Sequence, residues 1–166
     1  MSSYKISILF TRQHSLACSI MCLITRGKYT HASISLNDDY CFYSFNFKGF
    51  STEHPSHRTL FRNKKESLCL KFQVDKDTYQ NLEEYINFIK RHKSQYKYNY
   101  SGAVAALLHI PMKKEDSYFC SQFVGMLLSN LKDIQWKHDP QSYLPTSLAN
   151  ELMKQECIDD ILVDVV

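Results

Sequence analysis

The sequence predicts an α+β fold in which an antiparallel sheet packs against helices. Apolar and polar residues alternate in Tyr29–Leu36 and in Ser67–Val74, which is typical of strands. Apolar residues return every three or four positions in Asp116–Leu131, which is typical of a helix. The 166 residues contain no internal repeat and no linker, so a single domain spanning residues 1–166 is expected.

The first part of the chain predicts strands and one helix. Lys5–Phe10 is short and apolar, which indicates a first strand. Ser15–Ile24 is apolar over most of its circumference, which indicates a buried helix. Tyr29–Leu36 is a half-buried strand in this interpretation, with His31 on its polar side, and Tyr40–Phe47 returns beside it after a turn.

The second part of the chain is expected to contain helices, with one strand before them and one strand after them. The loop that leads into this part is predicted at Gly49–Arg58, which has turn composition and no periodicity. The elements expected after that loop are a strand at Ser67–Val74, a helix capped by Asp77, a short helix at Ser101–Leu108, the helix that carries Cys120, a helix at Pro145–Met153 and an edge strand at Ile158–Val166.

Composition and charge limit the class of protein. The chain is 44% hydrophobic, which indicates a globular fold, and 20 basic against 17 acidic residues give a net charge of only +3, so no nucleic-acid partner is expected. Two basic segments, His57–Lys65 and Lys90–Lys93, are interpreted as a solvated loop and a helix end, with an anionic substrate or membrane surface as the alternative.

The location predicted from the sequence is the cytoplasm. No apolar run approaches the ~18 residues of a membrane span, and no signal peptide is recognised, so stable membrane insertion is not expected. The six cysteines lack the regular spacing of a disulfide scaffold, which favours reduced thiols. Without a CxxC pattern, neither a metal site nor a cofactor is predicted.

Cys120 is the candidate nucleophile. Asp116 and Ser117 are favourable N-cap residues, so Cys120 is expected in or near the first helical turn, on the same face as Val124 and Leu127. Unpaired backbone N–H groups and the positive end of the helix dipole favour a thiolate at such a position. The alternative is a buried cysteine that only packs.

Two short motifs carry a family resemblance. Thr30–Leu36, with the sequence THASISL, precedes Tyr118–Val124, with the sequence YFCSQFV. In this order the chain resembles the circularly permuted NlpC-type members of the papain-like superfamily, in which the histidine strand comes before the cysteine helix. The resemblance implies a permuted papain-like fold, catalysis by Cys120 and His31, and an activity among the cysteine peptidases, amidases and lipid acyltransferases of the lecithin:retinol type.

The resemblance also implies a third polar residue that orients His31, on the hairpin that follows. A two-residue turn at Asn37–Asp38 would pair His31 with Ser44, whereas a turn at Asp38–Asp39 would pair it with Asn46. Asn46 is the first candidate because its amide oxygen can accept a hydrogen bond from Nδ1–H and so set the tautomer. Ser44 and, on the predicted loop, Glu53 are the alternatives.

The function predicted is that of a cysteine-dependent hydrolase. A thiolate pair of Cys120 and His31 would cleave an amide or peptide bond, or a thioester or ester, through an acyl-enzyme, and the backbone N–H of Cys120 would bind the oxyanion. The substrate would be a peptide, an amide or a lipid-like molecule. A lipid acyltransferase and a catalytically inactive binding module of the same fold are the alternatives; the lack of an evident membrane anchor favours the hydrolase.

Overall fold

A computed structural model describes residues 4–12, 26–36, 40–54, 67–108 and 110–164 of the chain. Three predicted segments lie wholly outside these residues: the helix at Ser15–Ile24, the turn at Asn37–Asp39 and the basic segment at His57–Lys65.

The described residues form an α+β structure with an antiparallel six-stranded sheet and four α-helices. The main-sheet strands are β1 (Tyr4–Thr11), β2 (His31–Leu36), β3 (Phe42–Asn46), β4 (Gly49–Glu53), β5 (Leu68–Val74) and β8 (Ile158–Val163), in the order β4-β3-β2-β1-β5-β8. A separate parallel pair consists of β6 (Lys97–Tyr98) and β7 (Ser117–Tyr118). The helices are α1 (Lys76–Arg91), α2 (Tyr100–Ala105), α3 (Cys120–Leu128) and α4 (Pro145–Leu152). Short 3₁₀ turns follow α2 at Ala106–Leu108 and precede α4 at Pro140–Ser142.

The main core lies between one face of the sheet and the helices. Alternation along β1 places Ile6, Ile8 and Phe10 on that face, where each is fully buried. Helix α3 contributes Phe123 and Val124 to the same cluster. Because α3 packs on β2 and β3, the core fixes the position of the residue at which α3 begins.

The strand β2 is buried on both faces, which corrects the prediction of a half-buried strand. Ser33 and Ser35, on the same face as His31, are as inaccessible as Ala32 and Ile34. The alternation of small polar and apolar residues therefore marks the two faces correctly but does not show that one of them meets solvent. His31 is consequently an interior residue.

Three further features differ from the prediction: one strand replaces part of a loop, and two helices begin at other residues than expected. Residues 49–53 form the edge strand β4 instead of part of a loop. Helix α1 is capped by Asp75, whose side chain accepts a hydrogen bond from the Thr78 N–H at 2.8 Å, and not by Asp77. Helix α3 begins at Cys120 itself, after Phe119, and not at Asp116 or Ser117. The edge strand predicted near the C-terminus is confirmed as β8, which pairs with β5.

Candidate active site

Cys120 is the first residue of α3. The N–H of Phe123 donates to the Phe119 carbonyl at 3.0 Å, which is the first bond of the helix. The backbone N–H groups of Cys120, Ser121 and Gln122 therefore have no acceptor within the helix. The thiol lies beside these donors, and the residue is only 5% exposed. This arrangement can bind a negatively charged oxygen near the sulfur.

Gln122 holds the start of α3 in place. Its Oε1 accepts hydrogen bonds from the Phe119 N–H at 3.3 Å and from Asn99 Nδ2 at 3.0 Å. Both Gln122 and Asn99 are buried. Phe119, the residue before the helix, has no polar side chain that could cap it. The side chain of Gln122, inside the helix, therefore takes the place of the aspartate or serine cap that the sequence predicted. Ser121 adds a second anchor by donating to the Tyr143 carbonyl at 2.8 Å.

His31 is the first residue of β2 and pairs with Thr11 of β1. Its Nε2 lies 2.9 Å from each of the two carboxylate oxygens of Glu53. Both residues are almost completely buried, with exposed fractions of 3% for His31 and 4% for Glu53. Ser51 donates from its hydroxyl to Glu53 Oε1 at 3.1 Å, which fixes the carboxylate from the other side. A buried carboxylate that accepts from an imidazole both orients the ring and stabilises its charged form.

The Cys120 side chain is near enough to the same imidazole to help raise the pKa of His31. Because Glu53 occupies Nε2, the ring nitrogen that remains for the sulfur is Nδ1. Cys120 Sγ lies 4.0 Å from the Thr30 carbonyl oxygen, next to His31 in the chain. The structure thus brings Cys120, His31 and Glu53 into one buried cluster, in which Glu53 binds Nε2 of the ring.

The pKa of His31 is raised well above its ordinary value of 6.5. Burial acts first and disfavours the charged ring, but the Glu53 carboxylate and the Cys120 side chain together outweigh it. These interactions favour the protonated imidazole. A positive charge next to a sulfur is the condition under which a thiolate is stabilised.

Asn46, the first candidate for the orienting residue, does not have that role in the structure. Ile34 pairs with Tyr43, which is the register in which Asn46 lies opposite His31. However, Asn46 Oδ1 accepts a hydrogen bond from the Lys48 N–H at 2.8 Å, so it closes the next turn instead. Ser44 donates to the Ala32 carbonyl at 2.6 Å and ties β3 to β2.

Glu53 takes the orienting position because residues 49–53 form a strand. Antiparallel pairing of β4 with β3 places Glu53 opposite Phe42, on the face that carries Ser44 and His31. The contact is made at Nε2, whereas the sequence predicted it at Nδ1. Two signals could have indicated the strand: the two-residue turn at Phe47–Lys48, and the aromatic residues Phe45 and Phe50 that pair across it.

A cleft of about 940 Å³ lies at the opposite end of α3. Its lining includes Leu82 and Tyr85 of α1 together with Met126 and Leu131 from the end of α3 and beyond. Cys120, His31 and Glu53 do not line it. The candidate site is therefore the buried cluster at the start of α3, and this cleft is a separate feature.

Neither a membrane span nor a metal cluster is found in the part of the chain that the structure describes. None of its helices is long and apolar enough to cross a membrane. Within the same described ranges, no three histidine, cysteine or acidic side chains are grouped so that they could hold a metal ion.

Comparisons with models of known protein families, with curated proteins and with solved structures find no match to this chain. The resemblance of the two short motifs to the NlpC-type group therefore stays a prediction.

Proposed function

We propose that the chain is a cysteine-dependent hydrolase that cleaves an amide or peptide bond through an acyl-enzyme on Cys120. One observation carries the proposal: the buried His31 ring binds the Glu53 carboxylate through Nε2 and has the Cys120 thiol near enough to affect its pKa. This is the arrangement of nucleophile, base and orienting group used for nucleophilic catalysis in general. The order of histidine strand and cysteine helix along the chain supports a permuted papain-like fold of the NlpC type.

In the proposed resting state, a Cys120 thiolate pairs with a His31 imidazolium. The raised pKa of His31 supports this state, because it favours the protonated ring. Glu53 compensates the charge of the ring within the protein interior, where an uncompensated imidazolium would be costly. The carboxylate also restrains the ring by binding Nε2, which leaves Nδ1–H for the sulfur.

Acylation begins when the thiolate attacks the carbonyl carbon of the substrate. The carbonyl oxygen becomes an oxyanion, and the Cys120 N–H at the start of α3 donates to it, a contact that contributes roughly 3 kcal/mol in other enzymes. The imidazolium then donates its Nδ1 proton to the leaving nitrogen as the C–N bond breaks. The products of this step are an amine and a thioester on Cys120.

Deacylation reverses the roles of the same groups. Neutral His31 takes a proton from a water molecule, whose oxygen attacks the thioester carbon. Collapse of the second oxyanion breaks the C–S bond, releases a carboxylic acid and restores the thiolate–imidazolium pair. Every proton removed in one half of the cycle is returned in the other, so no cofactor is needed.

Acyl transfer is the second candidate, because it shares every step up to the thioester. The acceptor would be a hydroxyl or amine in place of water, and a lecithin:retinol-type reaction would take the acyl group from a lipid. The specific observation in favour is that Tyr100, Val104 and Leu108, which are exposed, lie on a helix packed against Phe119, the residue before Cys120.

The test is the rate at which iodoacetamide alkylates each cysteine as a function of pH, followed by peptide mapping. Cys157 is the internal reference, since it is more exposed than Cys120 and burial raises the pKa of its thiol. The proposal expects Cys120 to react well below pH ~8 and faster than Cys157, despite its lower exposure. Equal or slower labelling of Cys120 would show an inert thiol and favour the binding module.

A second measurement separates the two reactions. Incubation with a peptide or amide substrate and, separately, with phospholipid, followed by mass spectrometry, identifies the acyl group on Cys120. The Cys120→Ser variant is the control for non-specific acylation. An adduct from the amide alone supports the hydrolase, and an adduct from the phospholipid alone supports the acyltransferase.

A further inference from the structure

The cleft of about 940 Å³ at the far end of α3 has an apolar floor. It is lined by residues from the end of β5, from the first part of α1 and from the end of α3 and the segment after it. Its buried apolar side chains are Phe72, Val74, Leu82 and Leu127, and its half-buried ones are Tyr85, Met126 and Leu131. A concave site of this volume with an apolar lining is typical of small-molecule binding.

The rim of the cleft is acidic. Asp75 and Asp77 lie at the start of α1, and Asp133 lies in the segment after α3. Lys132 is the one basic side chain among the described residues that line the cleft, and all four of these residues are exposed. Lys76 is exposed as well, but it does not line the cleft. Three carboxylates against one ammonium group leave an excess of negative charge at the rim.

The rim carboxylates are not neutralised by neighbouring side chains. None of the ion pairs that the described residues form with one another includes Asp75, Asp77 or Asp133. Asp75 accepts hydrogen bonds from the N–H of Thr78 at 2.8 Å and from its hydroxyl at 2.9 Å, and these bonds lower the pKa of the Asp75 carboxyl. A cation in the cleft would therefore meet charges that no ion pair already satisfies.

Two titratable groups that line the cleft are affected by carboxylates. Burial is the largest cause that raises the pKa of Tyr85, and the Tyr118 hydroxyl and the Asp116 carboxylate raise it further. Burial also raises the pKa of the Cys157 thiol, and the Asp133 carboxylate adds to the effect. The potential inside the cleft therefore disfavours a negatively charged ligand and favours a positively charged one.

We propose that the cleft binds a small organic cation, with its apolar part on the floor and its ammonium group at the acidic rim. The apolar floor disfavours a strongly hydrated inorganic ion, and the rim disfavours an anion. Within the described ranges, no three histidine, cysteine or acidic side chains are grouped to hold a metal ion, which also favours an organic cation. The cleft lies away from Cys120, so this binding does not depend on the proposed catalysis.

The test is isothermal titration calorimetry of the full chain with three probes that share one apolar chain. At pH ~7 octylamine is a cation, octanol is neutral and octanoate is an anion. Octylamine should bind at least about fivefold more tightly than octanol, because each exposed charge pair at the rim adds a small increment. Octanoate should bind more weakly than either. Added salt should reduce the preference for octylamine, since salt screens the charges at the rim.

Alkylation of Cys157 by N-ethylmaleimide reports whether octylamine binds in this cleft. Cys157 lines the cleft and is half-buried, and Cys41 is equally half-buried but does not line it. Saturating octylamine should slow the alkylation of Cys157 at least about threefold by covering the thiol. The alkylation of Cys41 should stay unchanged, which makes Cys41 the internal control.

Charge variants at the rim test the part played by the carboxylates. Asp77→Asn and Asp133→Asn should each weaken octylamine binding about two- to fivefold and leave octanol binding unchanged. Asp160→Asn is the matched control, because Asp160 is exposed on β8 and does not line the cleft. Met126→Gln should weaken octylamine and octanol alike, by about threefold, because it makes the floor more polar. Cys120→Ser should bind octylamine like the unmodified chain.

Four results would overturn the proposal. They are no binding of octylamine, equal affinities for octylamine and octanol, octylamine binding that leaves Cys157 unprotected, and a loss in Asp160→Asn equal to the losses in Asp77→Asn and Asp133→Asn. Unreactive Cys120 in the alkylation assay, with octylamine binding intact, would overturn only the proposed function.

Discussion

Replacing Glu53 with glutamine tests the electrostatic basis of the site while keeping the shape of the side chain. Both carboxylate oxygens lie 2.9 Å from His31 Nε2, and in glutamine one of them becomes an NH₂ group that cannot accept the Nε2 hydrogen. The negative charge is also lost, so the pKa of His31 should fall. A hydrogen bond to a charged group contributes about 1.5–3 kcal/mol. The thiolate–imidazolium pair should therefore be about 10- to 150-fold less populated.

The assay for Glu53→Gln is the alkylation rate of Cys120 against pH, normalised to Cys157. In the variant the alkylation rate of Cys120 near pH ~7 should fall about 10- to 150-fold. The pH at which the rate begins to rise should be higher than in the unmodified chain. Asn46→Ala is the control on the same hairpin, since Asn46 bonds to Lys48 and not to His31. An unchanged profile in Glu53→Gln, or an equal change in Asn46→Ala, would show that Glu53 does not stabilise the charged imidazole.

The other predictions concern stability, measured by urea unfolding. The pKa of His31 is raised in the folded state. The contribution of His31 to the free energy of unfolding is therefore fully present below about pH 6.5 and is lost as the pH rises through the folded-state pKa. The free energy of unfolding lost in His31→Gln should accordingly shrink towards alkaline pH, and a constant difference would contradict the assignment. Gly125→Ala should destabilise the fold by about 3 kcal/mol or more, because the added Cβ would lie 1.9 Å from the Pro140 carbonyl oxygen; a loss under about 1 kcal/mol would show that the helix can shift. Gln122→Leu should cost about 1–3 kcal/mol by leaving the buried Asn99 amide without this acceptor, with Gln122→Glu, which keeps an acceptor, expected to retain more stability.

The elements that the sequence predicted well are those whose periodicity is set by burial on one face. Alternation in β5 and the three-to-four spacing of Leu82, Ile86 and Ile89 in α1 both follow from packing against the main core. Helix ends were predicted less well, because a cap depends on which side chain reaches the first N–H groups. At α3 that side chain is Gln122, inside the helix, and not a residue before it.

The residues of the candidate site were also predicted only in part from the sequence. Cys120 and His31 could be proposed from their local patterns, a cysteine at a helix start and a histidine on a strand. Glu53 could not be ranked first, because β4 contains only one large apolar residue, Phe50, and so lacks the alternation of a recognisable strand. Its pairing with β3 is a property of the hairpin, not of the five residues taken alone.

By itself, the sequence determined that the chain has an α+β fold and which segments carry the candidate thiol and imidazole, since secondary structure depends on the pattern of neighbouring residues. Only the tertiary structure decided that Glu53 holds His31, through which ring nitrogen, and that the Cys120 thiol lies near the ring. Those contacts join residues far apart in the chain. They follow from strand register and from the packing of α3 on the sheet, which no local pattern encodes.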